Sequence, residues 1–464
     1  MTKTLDMIFT AVILAAGKGT RMKSELPKVL HELLKKPMLW YLLETFRKMG
    51  FDKRLVVTGH GHELLENRFP DDKDDFIIQN RQLGTGHALQ TAWPSIEASK
   101  AEWVVVANGD TPLVEAEELE ILITAVTRSD ADAGLISLKL DDPAEYGRVI
   151  RDYSGRITAV VEAKDYHEDE FGPCSGEINS GIYLFKRSSL AEILFDLDAD
   201  NEQKELYITQ LIELARKRGM TVIAALAGDS PKLLGINSPA ELVAQEEYLR
   251  GALVERLISR GVIIRNKNQV RIGPEVIVEP GADITGPCEI YGDSFISSGA
   301  RINSHSYIES SRIGKCEIFS FSHIQGSDIR DMTSIGPFAR LRPGTVMMEG
   351  SRAGNFVETK NSVIGKKSKI NHLSYIGDTE MGSDVNIGAG TITCNYDGKE
   401  KHKTIIGEKV FIGSNTSLVA PVRLGDQSLV GAGSTITSDV PEGALSVARS
   451  RQKNLEGKNP LKKR

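Results

Sequence analysis

Cysteine is scarce in this chain. Only Cys174, Cys288, Cys316 and Cys394 occur among 464 residues, and no two form a CxxC pair. That excludes a disulfide framework and a thiolate zinc site, and it fits reduced thiols in the cytoplasm. A large excess of one charge is also missing. The formal net charge is -6, which argues against general affinity for nucleic acid or for an anionic membrane surface. No apolar run reaches the length of a membrane span. The nearest candidate, "MIFTAVILAA" at residues 7–16, follows Lys3 like the core of a signal peptide. A charged glycine loop stands where a small-residue cleavage site belongs, so the segment reads as a buried parallel strand.

What is present is globular, with 40% apolar and 26% charged residues. The length calls for two or three domains. Residues 1–238 alternate strand-like runs ("AVILAAG", "KRLVVTG", "WVVVANGD", "AGLISLKL", "GIYLF") with amphipathic stretches such as "PMLWYLLETFRKMG". This is the pattern of an α/β domain with a mostly parallel sheet, whose ligands gather at the carboxyl ends of the strands. Residues 239–261 read as one connecting helix. Ser238 caps it, Pro239 sits in its first turn, Leu242, Leu249, Leu253 and Leu257 share a face, and Gly261 ends it.

The texture then changes. Val278, Ile284, Ile290, Ile296, Ile302 and Ile308 recur every six residues. The period returns at Ile364, Ile370 and Ile376, and again at Ile406, Ile412, Leu418, Leu424, Val430 and Ile436. A helix turning by about 100° per residue would scatter such positions round every face. An extended chain keeps them on one face, because six is a multiple of two, and hexapeptide periodicity marks a parallel β-helix. Small residues after many of these positions suit tight turns. The phase breaks between the runs, and "TCNYDGKEKHKTI" at 393–405 is a polar insertion of the kind that carries binding groups.

The first glycine loop, "GKGTRMKS", fits neither common phosphate motif. It lacks the GxxxxGK[ST] register, and Met22 occupies the last glycine position of GxGxxG. There remain a strand, a glycine turn that lets backbone N–H groups approach an anion, and the cations Lys18, Arg21, Lys23 and Lys28, with Pro27 fixing the chain just before Lys28.

Taken together, "LAAGKGTRM…LPK", "QLGTGHA" (82–88), "GD" (109–110), "EYGRV" (145–149), "VEAKD" (161–165), "EINSGIY" (177–183) and "GIN" (235–237) are similar to the signature of sugar-1-phosphate nucleotidyltransferases. With the hexapeptide half, nearly the whole chain resembles the bacterial bifunctional N-acetylglucosamine-1-phosphate uridylyltransferase / glucosamine-1-phosphate acetyltransferase family. The resemblance implies a Rossmann-like nucleotidyltransferase domain (1–238), a linker helix (239–261), a left-handed parallel β-helix (262–450) and a basic tail (451–464). It implies two reactions of UDP-N-acetylglucosamine synthesis for the bacterial envelope, in a cytoplasmic homotrimer.

For uridylyl transfer from UTP, the resemblance assigns nucleotide contacts to Leu14, Ala15, Ala16, Gly17, Gln79, Gly84 and Thr85, and phosphate stabilisation to Arg21 and Lys28. Mg2+ falls to Asp110 and Asn237, and the sugar to Gly147, Glu162, Asn179 and Asn237. The sequence departs from the family at Asn108, where tyrosine or serine is expected. For acetyl transfer from acetyl-coenzyme A, it assigns His372 as general base, with Glu358 to orient it or stabilise its charge. Arg342, Lys360, Tyr375 and Asn386 take the sugar phosphate. Asn395, Tyr396, Ser414, Ala432 and Arg449 take the acetyl donor. The motifs "RLRPG", "NFVETK", "NHLSY" and "CNYDG" carry that half. Two other readings stand beside it: a nucleotidyltransferase whose β-helix only assembles or regulates, and a non-catalytic binding protein. His372 with the 393–405 loop argues against the first, and the presence of Lys28, Asp110 and His372 against the second.

Overall fold

A computed structural model describes residues 7–17, 19–228, 230–458 and 461. Lys18 of the glycine loop and residues 459, 460 and 462–464 of the basic tail lie outside the described residues. The chain forms two compact units, 1–249 and 250–464.

The first unit is built on one sheet. The strand Phe9–Ala15 is one of its central strands, because all its side chains but Thr10 are apolar and helices cover both faces. It pairs in parallel with Lys53–Thr58 on one side and Trp103–Asn108 on the other. The chain therefore leaves this strand toward one edge and later returns to its opposite side. Such a switch point opens a crevice at the carboxyl ends of the strands. Phe76–Ile78 completes one edge, and Ala133–Lys139 and Val222–Leu226 the other. All five strand runs read from the sequence are strands. Glu177–Lys186 runs antiparallel to all three strands it pairs with, a direction that apolar content does not encode. Its register shifts between Asn179 and Tyr183. There Gly181 takes a φ of 77°, and this bulge bends residues 179–181 toward the crevice.

A helix spans Pro239–Ser259, two residues shorter than the sequence reading. Ser238 caps it, its Oγ accepting from the Glu241 N–H at 3.3 Å. Leu242, Tyr248 and Leu249 pack within the first unit, and Val254, Leu257 and Ile258 within the second.

The second unit is a parallel β-helix of hexapeptide class. All fifteen periodic positions are buried in its single core. Each short strand pairs with the one a coil later, as in Ile284 with Ile302 and Ile412 with Val430. The first phase break is no interruption. The coils there are one or two residues shorter, so Ile296 meets Ile313 and Ile302 meets Ile318 while the core continues through Ile324, Ile335 and Leu341. The second break is an excursion: the chain leaves the ladder after Cys394, makes an antiparallel contact between Tyr396 and Lys401, and rejoins at Thr404–Ile406.

The small residues after the periodic positions act differently from the tight-turn expectation. In "IGKKSK" it is Lys367, two positions past the glycine, that turns left-handed, with a φ of 58°. Gly365, Gly382, Gly407 and Gly425 instead let coils stack: a Cβ on Gly365 would lie 2.0 Å from the Gly382 carbonyl oxygen, and one on Gly425 2.4 Å from the Glu442 nitrogen.

Candidate functional sites

In the first unit the crevice is a cavity of ≈ 980 Å³ lined by the end of the central strand, Leu14–Gly17, and by Arg21, Lys28, Asp110 and Asn237. The glycine loop reaches it through Gly19, whose φ of 60° and missing Cβ admit the Lys28 stem; a Cβ there would sit 2.8 Å from that of Lys28. Lys28 heads a single turn, Lys28–Leu30, set by Pro27 at a φ of -48°. Its ammonium donates to Asp110 Oδ2 at 2.5 Å and to Asn237 Oδ1 at 2.7 Å. Arg21 also donates to Asn237 Oδ1, at 3.0 Å, and pairs with Glu145. Asp110 follows the strand Trp103–Asn108, and Asn237 is tied to it through the Ile236 N–H, which donates to the Asp110 carbonyl at 2.8 Å. One carboxylate oxygen and one amide oxygen thus converge on a common cation position. That donor pair fits a hard divalent ion, which takes few protein ligands when phosphates supply the rest.

The rest of the cavity is polar and shaped. Gln79 is buried, and its Nε2 donates to the Gly84 carbonyl at 3.1 Å beside His87 Nδ1. Gly84 precedes the helix Thr85–Ala98, whose first N–H groups are unused by the helix itself.

A second cavity of ≈ 260 Å³ shares Arg21, Thr85, Asn108, Asp110 and Asn237 with the first and adds Gly147, Glu162 and Asn179. Asn179 is fixed by donating to the Tyr183 hydroxyl at 2.6 Å and accepting from the Gly181 N–H at 3.0 Å. Glu162 accepts from Thr209 Oγ1 at 3.0 Å, and burial pushes its carboxyl above the usual range. Asn108 lies between the cavities. Its amide nitrogen packs on the bare Cα of Gly181, where a Cβ would sit 2.2 Å away. Its Oδ1 is buried with no hydrogen-bond partner among the described residues.

In the second unit three cations gather. Lys401, through a hydrogen-bond contact and its charge, and Arg342 beyond it hold the Lys360 ammonium below the ordinary lysine range. Arg342 donates to Glu358 Oε1 at 3.0 Å. Burial pushes the Asp378 carboxyl up, but hydrogen bonds from Asn361 and Asn395 and the charges of Lys360 and Lys401 outweigh it and leave it below the usual range. Lys401 was missed in the sequence reading. It lies in the polar excursion already singled out, but only folding back of that loop brings it to Lys360. Tyr375 is in register with Glu358, and a Cβ on Gly377 would meet both its hydroxyl, at 2.5 Å, and Asn395 Nδ2, at 2.9 Å. Asn395 is buried and Tyr396 exposed. Asn386 is in register with Lys369.

His372 is exposed on the strand Lys369–Gly377. The expected partner, Glu358, is engaged with Arg342; His372 faces Asn355 instead, Nδ1 to Oδ1 at 2.8 Å. The reason is register: in the parallel ladder His372 lies opposite Asn355, while Glu358 lies opposite Tyr375. Ser414 and Ala432 are neighbours, linked by Gly433 N–H donating to the Ser414 carbonyl at 2.8 Å, and Arg449 donates to the Ala432 carbonyl at 2.6 Å.

Residues 11–230 match the family model of the MobA-like NTP transferase domain, and residues 403–438 that of the hexapeptide repeat of succinyl-transferase. A "Bifunctional protein GlmU" from Oleidesulfovibrio alaskensis is 49% identical over 96% of this chain and 97% of its own. Proteins of the same name from Nitratidesulfovibrio vulgaris (Hildenborough) and Heliobacterium modesticaldum are 48% and 45% identical, over 97% and 96% of this chain and 98% and 97% of theirs.

Proposed function

Because the chain belongs to the family of bifunctional GlmU proteins, we propose that it acetylates glucosamine 1-phosphate with acetyl-coenzyme A and then uridylylates the product with UTP, releasing pyrophosphate. The observation that carries the reading is the convergence of Lys28 on Asp110 and Asn237, the pair that lines both cavities of the first unit. A nucleoside triphosphate suits the larger cavity and a sugar phosphate the smaller one, so a sugar phosphate oxygen would meet the α-phosphorus over that floor. Such transfers need positioning and charge neutralisation more than covalent help.

Leu14–Gly17, Gln79, Gly84 and Thr85 hold the nucleotide, Gly147, Glu162 and Asn179 the sugar. Arg21 and Lys28 exchange their carboxylate partners for phosphate oxygens as charge develops. Asp110 and Asn237 hold Mg2+, which when bound neutralises phosphate charge.

In the second unit Arg342, Lys360 and Lys401 take the phosphate of glucosamine 1-phosphate, and Tyr375 and Asn386 orient the sugar. His372 accepts the proton of the amine as its nitrogen bonds to the acetyl carbon and the carbon–sulfur bond breaks, releasing coenzyme A. Asn395, Tyr396, Ser414, Ala432 and Arg449 line the acetyl donor's path. The uridylyl half comprises residues 1–238 and the acetyl half 262–450, joined by the helix after Ser238. The enzyme works in the cytoplasm as a homotrimer, with acetyl-coenzyme A lying between subunits.

The test is one incubation with glucosamine 1-phosphate, acetyl-coenzyme A, UTP and Mg2+, followed by mass spectrometry. UDP-N-acetylglucosamine, coenzyme A and pyrophosphate are expected. A requirement for supplied N-acetylglucosamine 1-phosphate would reduce the β-helix to a scaffold, and no product from either sugar would overturn both assignments.

A further inference from the structure

Asn355 lies one coil from His372, directly opposite it in the parallel ladder, where adjacent strands are about 4.8 Å apart. Both residues precede a left-handed corner, Phe356 at a φ of 56° and Leu373 at 46°, so the two coils present them alike. The Asn355 Oδ1 lies 2.8 Å from His372 Nδ1. An amide oxygen only accepts, so the nitrogen facing it carries the hydrogen. A neutral imidazole has one N–H, which leaves the lone pair on Nε2.

We propose that Asn355 is a positioning residue of the acetyl-transfer site, holding His372 in the Nδ1–H tautomer so that Nε2 takes the proton from the attacking amine. This rests on the reading of His372 as the base. The surroundings explain why an amide serves here. Along the two strands of this rung the charged neighbours are Arg352 and Lys369 on one side and Glu358 and Lys360 on the other, and Glu358 is held by Arg342. No carboxylate is paired with His372 among the described residues. An amide fixes the ring and its tautomer without adding a negative charge, which would make the imidazolium slower to give up its proton between turnovers.

The experiment measures acetyl transfer against pH in full-length protein, with acetyl-coenzyme A binding followed by calorimetry. Asn355→Ala is expected to keep coenzyme binding and the KM for glucosamine 1-phosphate. Its kcat should fall by about tenfold or more, within the roughly 10²–10⁴-fold that a general base contributes. Asn355→Asp keeps an acceptor oxygen and adds charge. It is expected to retain most activity while the acidic limb of the profile moves up by about one to three pH units. Wild-type kcat in Asn355→Ala, or an Asn355→Asp profile whose limb stays in place, overturns the proposal. If Asn355→Ala loses coenzyme binding, the Asn355→Asp limb alone decides. His372→Ala separates the two readings: acetyl transfer surviving in that variant removes the base itself, whatever Asn355 does.

Discussion

At the scale of single residues, the two sites place their charges differently. In the first unit each cation already has a carboxylate, Lys28 with Asp110 and Arg21 with Glu145, so a ligand must exchange partners. Asp110→Ala leaves Lys28 with Asn237 alone and removes the carboxylate proposed to hold the metal. Uridylyl transfer should fall by at least about 10²-fold, with acetyl transfer unchanged, in separate assays of the two half-reactions. In the second unit the cations crowd one another. Lys401 depresses Lys360, so that amine loses its charge at a lower pH than an ordinary lysine unless a phosphate is there to hold the proton. The KM for glucosamine 1-phosphate is therefore expected to climb as pH rises toward the lysine range. In Lys401→Met it should be higher at neutral pH and climb later; a KM indifferent to pH in both proteins would contradict this. Glu162 titrates in the other sense. Burial raises its folded pKa, so its stabilising contribution is complete below the unfolded value near 4.5 and is lost as pH rises through the folded value. Glu162→Gln keeps an oxygen for Thr209 and removes the charge. Its melting temperature should exceed that of the parent at neutral pH and converge with it on acidification.

At the scale of elements, the stacked glycines of the β-helix are a packing device. Gly382 sits on the Gly407 backbone, where an added Cβ would lie 2.7 Å from the carbonyl carbon. Gly382→Ala must force coils apart, and such overpacking typically costs about 1–3 kcal/mol. Urea unfolding followed through the second unit should show that loss. Ile370→Ala acts from inside the same coil. Ile370 is fully buried, and the cavity left by such a truncation costs about 2–5 kcal/mol. The sequence signalled both roles unequally. The six-residue period named every buried isoleucine of the long runs, because inward-facing positions share one period with the ladder. It could not name the shortened coils around Ile313 and Ile318, where the corners drop residues and the phase drifts. The glycines were visible, but their purpose was not: close approach between coils is a relation between residues sixteen or more apart, as Gly365 and Gly382 are.

At the scale of the whole molecule, each unit has its own core, which predicts separable stability. A fragment ending at Leu249 should fold and uridylylate supplied N-acetylglucosamine 1-phosphate; an unfolded fragment by circular dichroism would show that the rest of the helix is needed. The β-helix also carries an outward column of stacked rings, Phe321 on Phe338 at 4.9 Å and Phe338 on Phe356 at 5.4 Å, each about half exposed. Exposed apolar ladders of this kind favour burial against another surface. Sedimentation equilibrium is expected to return three times the mass of one chain. Phe338→Glu should lower that mass if the column is part of the contact. The sequence by itself determined the alternation of strand and helix in the first unit, the extended coils of the second, and the candidate residues of both sites. Those depend on local pattern and on motifs short enough to be read along the chain. The family resemblance had paired Asn237 with Asp110, but only the tertiary structure decided that the Lys28 ammonium lies between them. Only it decided that Lys401 folds back on Lys360, and that His372 rests on Asn355 rather than on Glu358. Those contacts are set by sheet order, loop path and ladder register, and a shift of a single residue in register would have chosen other partners.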